Sequence, residues 1–164
     1  MNRLILSVAA VSAVLTVAPV SPAKAQNARE IVGTWTLVSS VAQQSGASID
    51  TFGPHPNGTL VFGSDGRYAL IFLRGDLPQV ASNSRISQTQ EEARAIAQGQ
   101  TAHFGTYAVI EADNVVVFHI EHSNFPNWDG TEQRRAVSIK GDQLTYTSPG
   151  STGVAAQVTM RRAK

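Results

Sequence analysis

His119, Glu121 and Arg135 are the residues here whose types and spacing could do chemistry. They lie in the stretch Val115–Ile139, VVVFHIEHSNFPNWDGTEQRRAVSI. Histidine is the usual proton shuttle near neutral pH, and a neighbouring carboxylate orients its ring and holds its charge. An arginine alongside can clamp a carboxylate or stabilise a developing enolate. Two strand-like runs carry these side chains, on either side of an aromatic, proline-containing loop. Residues two apart on a strand share a face. His119 and Glu121 therefore point the same way as Val115 and Val117, and His122 points the other way. On the second run Gln133 and Arg135 share a face with Val137 and Ile139. A hairpin that pairs His119 with Arg135 also pairs Glu121 with Gln133. Base, acid and cation then converge on one apolar wall, as the polar end of a pocket. Val116, Phe118 and Ile120 are apolar too, so both faces of the first run can be covered. Buried charges are costly unless paired, so the plainer reading of the same residues is a satisfied network that fixes strand register.

Aromatic residues complete the expected ligand-binding set: Tyr68, Tyr107 and Trp128 join His119, Glu121, Gln133 and Arg135. Phe125-Pro126-Asn127-Trp128 reads as a rim loop, either a plug anchored by Trp128 or a lid over a cavity. Metal binding is not expected. On a strand His119 and His122 face opposite ways, and a third ligand beside His119 and Glu121 would have to come from His103 or His55, at no fixed spacing. The His-x-Glu of zinc deaminases needs a later Cys-x-x-Cys, and the chain has no cysteine. That absence also excludes a disulfide scaffold, a thiolate metal site and a cysteine nucleophile. No Gly-x-Ser-x-Gly elbow or phosphate loop is present, and no cofactor is expected.

The elements that must position these residues are short runs rich in Val, Thr, Tyr and Phe, punctuated by Gly, Asp and Asn, the pattern of an all-β barrel or sandwich. The first, Ile31–Gln43, places Trp35, Leu37, Ser39 and Val41 on one face. Thr59–Gly63 and Arg67–Arg74 follow, joined by Ser64-Asp65-Gly66, a strong hairpin turn because Asp-Gly tolerates positive φ. Ser87–Gln98 breaks the pattern. Ser87 and Gln90 offer a capping box, the residues after them favour helix, and Gly99 is a stop. Strand runs resume at His103–Ile110, Val115–His122, Thr131–Ile139, Gln143–Ser148 and Val154–Arg162, with Pro149–Gly153 as the last turn. Eight strands with mostly short links can close into an antiparallel up-and-down barrel that just holds one small ligand.

The N-terminus reads as a signal peptide over residues 1–25 and the rest, 26–164, as one domain. Arg3 gives the positive start, Leu4–Val17 is an apolar run of 14 residues, and Ala23-Lys24-Ala25 is an Ala-x-Ala cleavage site. The run is shorter than the roughly 20 residues a membrane span needs, so no stable membrane insertion is expected. The mature chain would keep 11 of the 13 basic residues and all 12 acidic ones, a net charge of −1. Nothing there points to nucleic acid. A soluble protein exported in the bacterial manner, periplasmic or secreted, is the expectation.

Several fragments together resemble a known family. Gly33-Thr34-Trp35 is similar to the opening strand of lipocalins and other calycins. Phe52-Gly53-Pro54-His55-Pro56-Asn57-Gly58, Ser64-Asp65-Gly66-Arg67-Tyr68, Phe104-Gly105-Thr106-Tyr107, His119-Ile120-Glu121, Pro126-Asn127-Trp128-x-Gly130-Thr131-x-Gln133-x-Arg135 and the closing Arg161-Arg162 resemble, in that order, the bacterial and fungal lipocalin-like domain family. The resemblance implies an eight-stranded calycin-like barrel with a central cavity and one short external helix. It also implies a stack of Trp35 on Arg162 closing one end, with Met160 standing where the family often has an aromatic residue. Related barrels include both ligand carriers and enzymes that isomerise or cyclise small molecules. The leading expectation is binding of a small apolar or aromatic molecule. The alternative is a cofactor-free isomerase, cyclase or lyase with His119 or Glu121 as general base, and a third reading is a module with a filled interior. If the leader is cut as written, intact mass of the exported protein should place its N-terminus at Gln26; a chain that still begins at Met1 would overturn the compartment.

Overall fold

Alternating burial along nearly every strand run is what assembles this molecule, whose computed structural model describes residues 28–149 and 153–164. The expected leader, residues 1–25, lies outside them, as do residues 150–152 of the last expected turn. Nine strands form among the described residues: β1 (Gly33–Gln44), β2 (Ala47–Asp50), β3 (Asn57–Phe62), β4 (Arg67–Leu73), β5 (Gln100–Ile110), β6 (Val115–Ser123), β7 (Glu132–Lys140), β8 (Gln143–Ser148) and β9 (Ala156–Arg162). From β3 to β9 each strand pairs antiparallel with the next, and β1 pairs with both β3 and β9. The result is a closed eight-stranded antiparallel barrel with one extra strand. The extra strand, β2, is held by β1 through a turn in which Ser45 and Gly46 both take positive φ, the geometry a two-residue hairpin favours. All four of its residues are exposed, so it shows none of the alternation that marks the other strands.

The helical pieces are short: α1 (Ala28–Ile31), α2 (Gln90–Gln98) and 3-10 turns at Glu111–Asp113 and Pro126–Trp128. The helix starts later than the Ser87 box predicts. Thr89 is the N-cap instead, accepting from the Glu92 backbone N–H at 3.2 Å while the Glu92 carboxylate accepts from the Thr89 N–H at 2.8 Å. A carboxylate is the better partner there, because it makes a charge-assisted bond and answers the positive end of the helix dipole. Gly99 ends α2 as expected, donating to the Ala95 carbonyl at 2.9 Å.

At one end the barrel is shut by Trp35. It is fully buried, opposite Arg162 in the β1–β9 ladder, with the guanidinium 4.1 Å from the ring centroid. Arg162 also donates to the carbonyls of Val32 at 3.0 Å and Glu30 at 2.6 Å, and the Trp35 indole donates to the Ile31 carbonyl at 2.8 Å. Met160, Leu60, Phe62, Phe118 and Leu144 pack in the same core, so the unbranched methionine fills the closed end without leaving it exposed. The inward face of β1 is not the one its alternation implies. The β1–β9 register shifts between Leu37 and Ser39, so Val38 turns out and Ser40 and Ala42 replace Ser39 and Val41 inside. A second irregularity lies between β5 and β6, where Phe104 pairs with His122 but Gly105 with Ile120. Gly105 is required at that bulge, because a Cβ there would run into the carbonyl oxygen of His119.

The opposite end carries the long connections: β2–β3, the β4–β5 link with α2, the β6–β7 loop and the β8–β9 link. That end stays open. Trp35→Ala removes a large fully buried aromatic and should lower stability by about 3–5 kcal/mol. A urea melt displaced by less than about 1 kcal/mol would mean that Trp35 does not close a packed barrel.

Candidate functional site

Inside the open half is a cavity of about 620 Å³, within the range of sites that enclose one small molecule. Leu70 and Phe72 of β4, Val158 and Ala156 of β9, and Tyr146 of β8 line it, with Phe52, Phe125 and Trp128 nearer the mouth. Phe52 meets Phe72 edge-on at 5.7 Å, and Phe125 meets Trp128 edge-on at 5.5 Å. Trp128 is held there by its loop. The Asp129 carboxylate accepts from the Ser123 N–H at 2.7 Å and lies 3.1 Å from His122, while Thr131 donates to the Trp128 carbonyl.

The polar base of the cavity is Arg135, only 2% exposed. Alternation along β7 points it inward with Gln133 and Val137. Its Nη2 donates to Gln133 Oε1 at 2.6 Å and lies 3.4 Å from His103 Nε2. Its guanidinium carbon is 4.5 Å from the Phe118 ring centroid and 5.1 Å from that of Tyr146. Two desolvated cation–π contacts near 2 kcal/mol each and one charge-assisted hydrogen bond of about 1.5–3 kcal/mol are of the same order as the several kcal/mol lost in burying the ion. Arg135 can therefore stay buried without a carboxylate, and among the described residues it has none. Its Nε and the Tyr146 hydroxyl are both buried and, among the described residues, make no hydrogen bond of good geometry beyond a close polar contact between the two side chains.

His103, 3% exposed, stands on β5 opposite Leu70 of β4. Burial, and then the charge of Arg135, lower its pKa to about 3, so the ring is neutral at physiological pH. An arginine can only donate, so His103 Nε2 faces it as acceptor; Nδ1 then carries the hydrogen and donates to Tyr68 Oη at 2.8 Å. Burial raises the Tyr68 pKa, and raises that of Tyr146 to about 12 even though the nearby Arg135 pulls it back.

The seven residues singled out by sequence divide between the two faces of the wall. Gln133, Arg135 and Trp128 gather at the cavity or directly behind it. Tyr68 is buried under it against His103, and Tyr107 points towards the closed end, where its hydroxyl donates to the Gly63 carbonyl at 2.8 Å. His119 and Glu121 are outside. The pairing of His119 with Arg135 does not form; β6 and β7 run three residues out of that register, with Val116 opposite Arg135, Phe118 opposite Gln133 and His119 opposite Glu132. An odd slip turns a strand to its other face, so Val116, Phe118 and Ile120 are inside. His119 lies 3.5 Å from Glu132 and Glu121 2.7 Å from Arg67, every partner roughly half exposed. The Glu121 bulge also leaves His122 exposed beside them, correcting the opposite-face reading. His103 is the functional candidate the sequence reading passed over, having entered only as a spare metal ligand. Its parity with Tyr107 and Val109 marked the inner face, but the apolar Phe104 beside it obscured that signal. No group of three or more His, Cys, Asp or Glu side chains among the described residues could hold a metal ion.

A family model described as a lipocalin-like domain matches residues 32–162. A protein of Aspergillus oryzae named 4'-hydroxy-3'-methoxypropiophenone carrier protein ppsC is 33% identical over 82 residues, 46% of this chain and 74% of that protein. Two solved structures of point mutants of the fluorescent protein UnaG are each 16% identical. They cover 82% and 83% of this chain and 97% and 98% of their own, with TM-scores of 0.37 and 0.38.

Two predictions follow from this placement. Because His119 and Glu121 make only exposed pairs, His119→Gln and Glu121→Gln should each change stability by no more than about 0.5 kcal/mol in denaturant melts; a loss of several kcal/mol would put them back in the interior. His103 predicts a pH slope. Between about 6.5 and about 3 the unfolded chain binds a proton that the folded one refuses, so this residue makes stability fall as pH drops through that window. Melts at stepped pH should show a flatter slope in His103→Gln than in the parent, and equal slopes would mean the ring is not held neutral.

Proposed function

Because the chain belongs to the lipocalin-like domain family, we propose that it is an exported carrier that holds a small apolar or aromatic molecule in its cavity, polar end against Arg135. The observation that carries this reading is the cavity itself, with apolar walls, aromatic edges at the mouth and one buried cation at the base. The carrier named among the relatives agrees in kind with it. Edge-to-face contacts from Phe52, Phe72, Phe125 and Trp128 would favour an aromatic guest.

The enzymatic alternative loses its expected groups, since His119 and Glu121 face away from the cavity. Of the residues lining it only His103 could take a proton, and that ring, facing a cation, is a weak base. Carriage needs no such group.

N-phenyl-1-naphthylamine, a neutral fluorescent probe, should bind one to one and saturably, and extracts of the protein purified from its host should yield an apolar or aromatic compound by mass spectrometry. Trp128→Ala should release the probe severalfold faster with the fold intact by circular dichroism. No saturable probe binding and no co-purifying molecule would defeat the carrier reading.

A further inference from the structure

We infer that the carried molecule is an anion, a small carboxylate whose oxygens lie between the Nε–H of Arg135 and the hydroxyl of Tyr146. This rests on the cavity being the binding site and deepens that reading. Both residues line the cavity, and both atoms are buried; among the described residues neither makes a hydrogen bond of good geometry, the Tyr146 hydroxyl having only a close polar contact with the Arg135 guanidinium itself. Such atoms are rare in folded proteins and call for an explanation. Here two of them belong to side chains in contact, the guanidinium of one lying over the ring of the other.

The acceptors at the base are already engaged. Gln133 Oε1 takes the hydrogen bond from Arg135 Nη2, and His103 Nε2 faces the same nitrogen. What remains is the Nε–H of Arg135, which only donates, beside the Tyr146 hydroxyl, which can donate or accept. An ammonium could use only that hydroxyl and would also meet the charge of Arg135. A carboxylate only accepts, and its two oxygens in one plane answer two donor points.

Charge points the same way. Arg135 and Arg74 are the charged residues lining the cavity, and no Asp or Glu joins them. Arg74, at the mouth, is matched by Asp76 at 2.7 Å, whereas Arg135 has no carboxylate partner among the described residues. Its loss of hydration is already incurred on folding, so an arriving anion gains the attraction without causing that loss again. A ketone or amide oxygen could take the same hydrogen bonds but would leave the charge unanswered.

Displacement of bound N-phenyl-1-naphthylamine by matched compounds tests this at pH 7.5. 3-Phenylpropanoate should displace the probe at a concentration at least tenfold below 3-phenylpropanamide, about 1.4 kcal/mol. Tyr146→Phe and Arg135→Gln should each shrink that ratio, and Tyr146→Phe keeps the test standing should the arginine variant fail to fold. Equal displacement by acid and amide, or a ratio unchanged in both variants, would overturn the anion while leaving the carrier reading in place. Tighter displacement by 2-phenylethanesulfonate than by 3-phenylpropanoate would overturn the carboxylate. Failure of the probe to bind at all would overturn the carrier reading and this inference with it.

Discussion

The contact between Trp35 and Arg162 joins the first strand of the barrel to the last, and the open half is built on that joint. Trp35 fills the closed end while Arg162 covers its face and ties down the carbonyls of Glu30 and Val32. The stack alone contributes about 0.5–2 kcal/mol. Its larger effect is geometric. With β1 bonded to β3 on one side and β9 on the other, the barrel has no free edge along its lower half. At the far end the closure is looser: among the described residues β2 pairs only with β1, and its other edge is free.

Charge is divided between the two faces of this wall. Outside, Arg67–Glu121, His119–Glu132 and His122–Asp129 are solvated pairs of small energetic weight. Inside, among the described residues, Arg135 stands without an acid. One-residue alternation is all that separates the two populations, so Arg134 is exposed and its neighbour Arg135 is buried. The buried cation tolerates its position through aromatic faces and an amide, and the same environment keeps His103 neutral beside it.

Much of the architecture could be read from residue order. Eight strand runs, the Asp65-Gly66 turn, the helix with its stop at Gly99 and the Trp35–Arg162 joint follow from alternation, turn chemistry and a family resemblance. What escaped has local causes. β2 is exposed on both sides and carries no pattern. The bulges at Val38 and Glu121 each shift the facing by one, which no count of alternate residues detects. The facing of the candidate residues was read correctly on one strand and not on the other for the same kind of reason. Gln133 and Arg135 lie on a strand with polar residues on its other face, and their inward direction was clear. His119 and Glu121 lie on a run apolar on both faces, where only the register could decide. That register is set by the asymmetric loop from Asn124 to Thr131, in which Asp129 folds back on Ser123.

One feature of β1 separates access from rigidity. Its lower half is zipped to β3 by four residue pairs, Gly33–Thr36, but its upper half pairs on that side with β2, and the chain leaves the sheet between them. Phe52, a wall of the cavity, sits in that interruption. The seam beside the mouth thus consists of a short flap rather than a continuous ladder. The flap is held by one ladder of four exposed residues and the closed end by buried core, so resistance to local opening is lowest beside the mouth and highest at the joint between first and last strands.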